Sequence, residues 1–232
     1  MDALLERITD QKIGLEIGGP SCKGSILYNV AERIDNVNFS SVTVWSTHDT
    51  TYKFNPLKSP GKVIISDAVS LASIEDEVYD FLFASHCYEH IANPIKAMLE
   101  WIRVVKNGGY IILILPEKST CFDHKRCISS FETLKNQYSR NIGEDDLTSL
   151  PEILRNHDLS LDPPAGNFEQ FTLRSLDNFN NRCLHHYVYS IDLLKQVIEY
   201  CTEISDVTML FEYSELINNE DIWFIARRFR KE

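Results

Sequence analysis

The sequence lacks a long apolar run, a secretion-type start and closely paired cysteines. Its longest apolar stretch, YIILILP near residue 110, is far shorter than the about 20 residues of a membrane-spanning helix. The start, MDALLERITDQK, is acidic, whereas a signal peptide begins with positive charge. The six cysteines form no C-x-x-C pair, which argues against a zinc ribbon and favours reduced, mostly buried thiols. We therefore expect a cytoplasmic protein without a membrane span.

Positive charge is also scarce. The 232 residues contain 23 lysines and arginines against 34 aspartates and glutamates, which gives a formal net charge of -11. Binding to nucleic acid depends largely on basic residues that neutralise phosphates, and no basic stripe occurs here. The sequence thus argues against DNA and structured RNA as partners. The expected partners are a small molecule and, for an oligomer, a second copy of the chain in a homodimer.

Apolar runs separated by helical segments follow one another along the first half of the chain. They are largely apolar along their whole length, as parallel strands covered on both faces are. The five runs are IGLEI from residue 13, VTVW from 42, KVIIS from 62, VYDFLFA from 78 and YIILIL from 110. Near the end, DVTMLFEY and DIWFIARRF flank an Asn-Asn turn and predict an antiparallel hairpin. The pattern predicts a doubly wound, Rossmann-like α/β fold with a mostly parallel, seven-stranded sheet.

Two helices are marked clearly in the sequence. NPIKAMLEWIRVVKNGG begins with Asn93 as the N-cap and Pro94 as the first helical residue. Its apolar residues recur at helical spacing, and residues 107–109, Asn-Gly-Gly, supply the predicted stop. SIDLLKQVIEYCTE, near the end of the chain, predicts the second helix.

A long polar segment interrupts the alternation of strands and helices. Residues 117–189 show only short helical patches, around 129–138 and 148–156. Simple connections between strands and helices are much shorter, and long ones usually serve as lids or binding loops. We therefore predict one domain over residues 1–232, with 117–189 as an inserted lid or substrate-recognition segment after the fifth strand.

The stretch GLEIGGPSCKG, residues 14–24, places four glycines around one carboxylate after the first predicted strand. Open α/β sheets bind ligands at this place, beyond the carboxyl ends of the strands. Gly18 and Gly19 have no Cβ, so the backbone can approach a ligand closely. The stretch does not match a P-loop, because its lysine stands before the last glycine instead of after it. It does not match a dinucleotide fingerprint either, because Pro20 interrupts the glycines and VTVW ends without a carboxylate.

S-adenosylmethionine fits this stretch better, because it carries no phosphate and has two positive groups that the Glu16 carboxylate would favour. LEIGG resembles the first motif of class I S-adenosylmethionine-dependent methyltransferases, in which an acidic residue and glycines follow the first strand. VIISDA resembles the third-strand motif, whose aspartate lies beside the adenine. YDFLFASHCYEHIANPIKAMLEWIRVVKNGGYIILILP closely resembles the family's fourth strand, cofactor-facing loop, helix, glycine pair and fifth strand. The resemblance covers residues 12–116 and the terminal helix and hairpin.

The resemblance implies S-adenosylmethionine as the cofactor and a set of residues that bind it. They follow the first, third and fourth predicted strands: Glu16, Gly18, Gly19, Asp67, Ala68, Ser85 and His86. For three of them a structural role is the alternative. Glu16 would then cap the turn, Asp67 would be a helix N-cap, and His86 would be a packed, hydrogen-bonded imidazole.

Four further positions bear on the resemblance. Pro20 stands where the family often has another glycine, which changes the expected shape of the loop. Asp49 is a candidate for the ribose hydroxyls, but it lies four residues beyond VTVW, and an exposed loop position is favoured. Glu89 and His90 form a pair that the family often has, and we expect a structural or indirect role for His90 rather than a catalytic one.

Histidines and arginines of the insertion are the candidates for the acceptor side. We predict that one histidine of the insertion is the general base, with His124 and His185 as the two candidates, because imidazole titrates near working pH. Arg126, Arg182 and His186 are the predicted substrate-binding residues, with surface ion pairs as the alternative for the arginines. A metal site is not expected, because no pair has the i, i+4 spacing of one helical face and the neighbouring His185 and His186 point apart in a strand.

The resemblance implies methyl transfer as the reaction. Displacement at a sulfonium releases a neutral thioether, so alignment of the acceptor and a base for its proton are the main requirements. We predict O-methylation of a small polar acceptor, a sugar, a nucleotide-linked sugar or a phosphate-bearing glycan precursor, with N-methylation less favoured. FDHKR, HDL and LHHYVY are similar to parts of small bacterial members of the family linked to surface-polysaccharide modification. The alternatives are a catalytically degenerate scaffold protein and a metal-dependent enzyme that uses the histidines of the insertion.

Overall fold

The computed structural model describes residues 1–44, 51–52, 55 and 57–231. Among these residues, strands form one mixed sheet in the order β3-β4-β2-β1-β5-β6-β8-β7. The strands are β1 Ile13–Ile17, β2 Arg33–Asn38, β3 Thr51–Tyr52, β4 Gly61–Ile65, β5 Tyr79–Ser85, β6 Val105–Pro116, β7 Val207–Ile217 and β8 Asp221–Arg230. The central strands are parallel, whereas β8 and β7 are added antiparallel at one edge and the short β3 at the other. The predicted fold class is confirmed, with β3 as an additional edge strand.

Helices cover both faces of this sheet. The α-helices of the described residues are α1 Asp2–Thr9, α2 Ser25–Val30, α3 Pro94–Val104, α4 Phe131–Ser139, α5 Leu150–Asn156, α6 Phe168–Leu176, α7 Asn178–Asn181 and α8 Ile191–Ile204. Ile111, Leu113 and Leu115 of β6 join the buried cluster under α3 and α8. Ile112 and Ile114 join the cluster under α1 and α2 on the opposite face. Because both faces are covered, the strands β1, β5 and β6 are largely apolar, which makes them recognisable in the sequence.

The second strand of the chain is not the one that the sequence predicted. β2 is RIDNVN, Arg33–Asn38, whereas the described part of VTVW, residues 42–44, forms no strand and has exposed valines. Asp49 lies outside the described residues. The search for apolar runs missed β2 because most of its side chains are polar and are buried through hydrogen bonds. Asp35, for example, accepts a hydrogen bond from the Tyr79 hydroxyl at 3.0 Å.

The helix α3 begins as predicted but ends earlier. The Asn93 side chain accepts a hydrogen bond at 3.3 Å from the backbone N–H three residues further on, and Pro94 is the first helical residue. At the other end, Val105 pairs with Tyr79 of β5 and already belongs to β6. Residues 107–109 therefore lie within a strand, and the predicted helix stop at this place is wrong, because strand pairing takes over before the glycines.

Residues 117–189 leave the sheet after β6 and contain α4 to α7. The helices α4 and α5 coincide with the predicted patches, whereas α6 was not predicted. The segment has a small apolar cluster of its own, formed by Leu150, Ile153, Ala165, Phe171 and Leu184. Its last part returns to the buried cluster under α3 and α8, and the Tyr187 hydroxyl donates a hydrogen bond to the Ala92 carbonyl at 2.7 Å. Every helix of the described residues falls short of the length and apolar character that a membrane span needs.

Candidate active site

A cavity of about 990 Å³ opens at the carboxyl ends of the central strands. One side is lined by residues that follow β1, β2, β4 and β5, and the facing side by residues of the insertion. The sheet side includes Gly18, Gly19, Pro20, Asn38, Phe39, Asp67, Ala68, Ser85, His86 and Cys87. The insertion side includes Cys121, Phe122, Glu144, Asp162, Arg174, Arg182 and His185. The cavity thus lies where open α/β sheets bind ligands, and residues 117–189 line the side that faces the strand ends.

The loop after β1 brings bare backbone to this cavity. Gly18 has a φ of 81°, in the left-handed region that residues with a side chain rarely adopt. A Cβ atom on Gly18 would stand 2.7 Å from the Cys87 Sγ, and one on Gly19 would overlap the Glu16 carboxyl group. The Gly18 N–H donates a hydrogen bond to the Val37 carbonyl at 2.8 Å, which ties the loop to β2. This cradle fits a ligand that approaches the backbone directly, as S-adenosylmethionine is expected to do.

Glu16 lies beneath this loop and not in the cavity lining. It is fully buried, and its carboxyl group accepts hydrogen bonds from the Ser21 N–H at 3.0 Å, from the Asn36 side chain at 3.2 Å and from the Tyr28 hydroxyl. Burial raises the pKa of Glu16 to about 7, although these donors lower it in part. These contacts hold the loop in place. They agree with the structural role of Glu16, which was the alternative to a direct contact with the cofactor.

Asn38 ends β2 at the cavity and was not among the predicted site residues. Its side-chain N–H donates to the Gly19 carbonyl at 3.0 Å and to the Asn36 side-chain oxygen at 2.5 Å. It occupies the end of the second strand, the position that carries a carboxylate in dinucleotide-binding sheets. The signal was the alternation of Asn36 and Asn38 along RIDNVN, which places both side chains on one face of β2.

Asp67 follows β4 and connects it to the insertion. One of its oxygens accepts a hydrogen bond from the Val69 N–H at 3.1 Å, as a capping residue does, and the other accepts from the Arg182 guanidinium at 3.2 Å. Arg182 also lies 3.4 Å from the Glu144 carboxylate and 5.4 Å from the centre of the Phe39 ring. Arg182 lines the cavity and joins its two sides, so that a role toward either cofactor or substrate is open to it.

Ser85 and His86 end β5 at the cavity. His86 has a φ of 48°, and its Nε2 atom lies 2.8 Å from the Asp221 carboxylate at the start of β8. Asp221 also pairs with Lys23 from the glycine loop. The arrangement is compatible both with the packed imidazole and with a cofactor contact, because the ring is held by Asp221 and still lines the cavity.

His185 is the predicted base that the structure places at the cavity. Its Nδ1 atom lies 2.5 Å from the Asp123 carboxylate, and both side chains are buried. Burial alone would lower the pKa of His185, but the hydrogen bond and charge of Asp123 outweigh it and raise that pKa to about 10. Burial would raise the pKa of Asp123, but His185 and Arg126 lower it to about 2. At neutral pH His185 is therefore a cation, and it supplies positive charge instead of a free base.

The other three acceptor-side candidates lie away from the cavity lining. His124 pairs with Asp158 at 2.9 Å. Arg126 is buried and donates a hydrogen bond to the His185 carbonyl at 2.8 Å. His186 is also buried, which lowers its pKa to about 4. These side chains order the insertion, because their polar atoms are engaged with its other residues, and the structure does not bring them to a position from which they face an acceptor.

Solved structures share this fold at low sequence identity. A S-adenosylmethionine-dependent methyltransferase from Aquifex aeolicus superposes with a TM-score of 0.52 at 13% identity, over 97% of this chain and 88% of that chain. One from Methanosarcina mazei gives 0.51 at 11% identity, over 98% of both chains. The phosphoethanolamine N-methyltransferase 1 of Haemonchus contortus, in complex with phosphoethanolamine and S-adenosylhomocysteine, gives 0.55 at 15% identity, over 99% of this chain and 42% of that chain. At these identities the likeness shows the fold alone.

The strand order, the glycine cradle and the antiparallel β8–β7 edge define a class I methyltransferase fold. Residues 19–113 match the family model described as a methyltransferase domain. No curated relative matches the sequence. The family match over residues 19–113 supports the predicted enzyme class, a methyltransferase, and the fold is the one that the S-adenosylmethionine-dependent methyltransferase from Aquifex aeolicus also has.

Proposed function

We propose that this protein transfers a methyl group to an oxygen atom of a small polar acceptor, a sugar, a nucleotide-linked sugar or a phosphate-bearing glycan precursor. The observation that carries the proposal is the size and position of the cavity. Its volume of about 990 Å³ lies at the upper end of the range for small-ligand sites, about 300 to 1,000 Å³. The sheet side takes the cofactor, and the insertion side offers Glu144, Arg174, Arg182 and His185 to a second, polar molecule.

The cofactor side is built from strand ends and the loop. S-adenosylmethionine supplies an electrophilic methyl group on a sulfonium, with a neutral leaving group. The chain has to bind and orient it, and orientation of this kind lowers a reaction barrier by about 7 to 11 kcal/mol. Glu16 acts indirectly, by holding the loop in place. The proposed cofactor contacts are Gly18, Gly19, Asn38, Asp67, Ala68, Ser85 and His86.

The acceptor side belongs to residues 117–189, which act as the lid and the recognition segment in this proposal. His185, kept as a cation by Asp123, favours the ionised form of an acceptor hydroxyl near it, because positive charge stabilises a developing oxyanion. The same cation disfavours transfer to an amine, because the nitrogen gains positive charge as its bond to the methyl carbon forms. This charge argument is the reason for preferring transfer to oxygen over transfer to nitrogen.

The substitution Arg182→Gln is expected to weaken the binding of S-adenosylmethionine about tenfold, because it removes the charged hydrogen bond to Asp67 that joins the insertion to the cofactor side. Isothermal titration measures the dissociation constant. The exposed Arg155→Gln on α5 is the control and should bind as the wild type does. Equal affinities for the wild type and Arg182→Gln would contradict the proposed role of Arg182.

Transfer of a labelled methyl group tests the proposal as a whole. The purified protein is incubated with S-adenosylmethionine carrying a carbon-13 methyl group and with panels of sugars, nucleotide-linked sugars, phosphorylated sugars and amines. NMR then distinguishes a methyl ether or ester from an N-methyl group by its chemical shift. Transfer to oxygen supports the proposal, and transfer to amines alone overturns the choice of oxygen.

A catalytically degenerate scaffold is the second candidate function. Two observations favour it: Pro20 replaces a loop glycine, and Asn38 replaces the carboxylate at the end of the second strand. Binding of S-adenosylmethionine without transfer to any acceptor would support this candidate.

The methyltransferase proposal also includes a link to surface-polysaccharide modification, a cytoplasmic location and a homodimer. Light scattering of the purified protein tests the homodimer directly.

A further inference from the structure

Glu89 is a buried carboxylate without a hydrogen-bond partner among the described residues. It lies in the short helical turn Tyr88–His90 that follows β5, and it is 1% exposed. Neither of its side-chain oxygens accepts a hydrogen bond from the described part of the chain. Burying a carboxylate without a hydrogen-bond donor is unfavourable, and the nearby His185 imidazole lies 3.9 Å away, beyond hydrogen-bond distance. The position of Glu89 is therefore suited to a positively charged ligand.

Imidazole nitrogens surround this carboxylate. The Glu89 Oε1 atom lies 3.9 Å from Nε2 of His185 and 3.9 Å from Nδ1 of His86. Glu89, His90 and His185 each offer one possible ligand atom, and these three atoms lie within 4.8 Å of one another. Metal bonds to imidazole and carboxylate are about 2.0 to 2.2 Å long, so two ligand atoms of one ion lie up to about 4 Å apart. An ion between these side chains needs only small side-chain movements.

Two of the histidines have a carboxylate on the ring nitrogen that faces away from Glu89. Asp123 lies 2.5 Å from Nδ1 of His185, and Asp221 lies 2.8 Å from Nε2 of His86. A metal-binding histidine usually donates its second ring N–H to a carboxylate, which fixes the ring and strengthens the coordinating nitrogen. This outer arrangement is independent of the missing partner of Glu89 and points to the same kind of ligand.

Space and access are present at this group. A small cavity of about 10 Å³ is lined by Glu89, Asp123 and His185 together with neighbouring residues. That volume is about the space of one water-sized sphere. His86, His90 and His185 also line the large cavity. Coordination positions that the protein leaves open would therefore face the acceptor side.

We propose that Glu89, His90 and His185 bind one divalent transition-metal ion, with His86 as a further donor within reach. Two imidazoles and one carboxylate are a ligand set that proteins use for zinc and for iron(II). Sequence spacing argues against a metal only for ligands on one helix, whereas these ligands come from residues 89–90 and from the end of the insertion. The ion takes the place of the proton on Nε2 of His185, which is released to solvent, and it would bind the acceptor oxygen, whose proton is also released to solvent. Only this last step rests on the proposed function.

Metal titration of the purified protein tests the site. After treatment with a chelator, the protein is titrated with zinc(II) and, without oxygen, with iron(II). We expect one equivalent of metal to bind with a micromolar or lower dissociation constant. The ion that binds more tightly, zinc(II) or iron(II), identifies the metal that the site prefers. Glu89→Gln keeps the size of the side chain and should weaken binding by at least about 100-fold, since even outer partners of metal ligands contribute about 10- to 100-fold. If Glu89→Gln does not fold, His90→Asn gives the same test.

Two control variants separate this site from other thiols and imidazoles. Cys121→Ser removes a thiol close to His185, and His124→Asn removes a histidine that pairs with Asp158 outside the cavity lining. Both should bind the metal as the wild type does. Absence of stoichiometric binding at micromolar metal, equal affinity in Glu89→Gln, or loss in Cys121→Ser would overturn the assigned ligands. Titration with S-adenosylmethionine in parallel keeps this result distinct from a failure of the proposed function.

Discussion

Gly19→Val is expected to weaken the binding of S-adenosylmethionine by at least about 100-fold, or about 3 kcal/mol. A Cβ at this position would overlap the Glu16 carboxyl group, which is fixed by hydrogen bonds from Ser21 and Tyr28. The valine therefore has to move the loop, and overpacking of this kind also lowers the free energy of unfolding by about 1 to 3 kcal/mol. A displaced loop no longer offers its backbone to the cofactor. Isothermal titration measures the affinity, and circular dichroism checks that the variant is folded.

Gly143→Val is the matched control for this experiment. Gly143 is exposed in the insertion, and a Cβ there would meet only the tip of the Asp145 side chain, at 2.9 Å. Its affinity for S-adenosylmethionine should equal that of the wild type. A folded Gly19→Val variant with unchanged affinity would show that the loop after β1 does not hold the cofactor.

Most of the central sheet could be predicted because burial makes each of these strands apolar, and this can be seen in the sequence of each strand alone. The strands β1, β5 and β6 lie between two helical layers, so their residues are apolar almost without interruption. The strand β2 carries no such mark, because its polar side chains are buried through partners on other strands, as Asp35 is through Tyr79. The hydrogen-bond partners of these side chains lie elsewhere in the sequence, so the sequence of β2 alone does not show them. Polar buried strands are therefore the part of the fold that sequence patterns miss.

In the candidate site, too, local features could be predicted from the sequence, whereas contacts between distant residues could not. The glycine loop is local, and its place in the fold could be predicted from residues 14–24 alone. The contact between Asp123 and His185 joins residues 62 positions apart, and it turns an expected base into a cation. Glu16 could be located but its neighbours could not, because its three donors are fixed by the path of the loop and by β2. Residue type predicts candidate positions, and only the packing shows the charge and the hydrogen bonds of each group.

The contribution of Glu16 to the free energy of unfolding is expected to fall by up to about 3 kcal/mol as the pH rises from about 5 to about 8. The carboxyl group has an ordinary pKa of 4.5, which applies to the unfolded chain, whereas burial raises its pKa in the folded protein to about 7. Its contribution to stability is therefore fully present below pH 4.5 and is lost as the pH rises through about 7. Urea unfolding at a series of pH values measures the free energy of unfolding.

Glu16→Gln isolates this contribution, because it keeps the size of the side chain and an oxygen for the Ser21 N–H but does not titrate. Other groups titrate alike in both proteins, so the difference between the two unfolding free energies should shift in favour of the variant as the pH rises. Parallel pH curves would contradict the raised pKa. Binding should show the opposite trend, since the ionised carboxylate beneath the loop favours a ligand with two positive charges. The charge that destabilises the folded protein near pH 8 then strengthens its hold on S-adenosylmethionine.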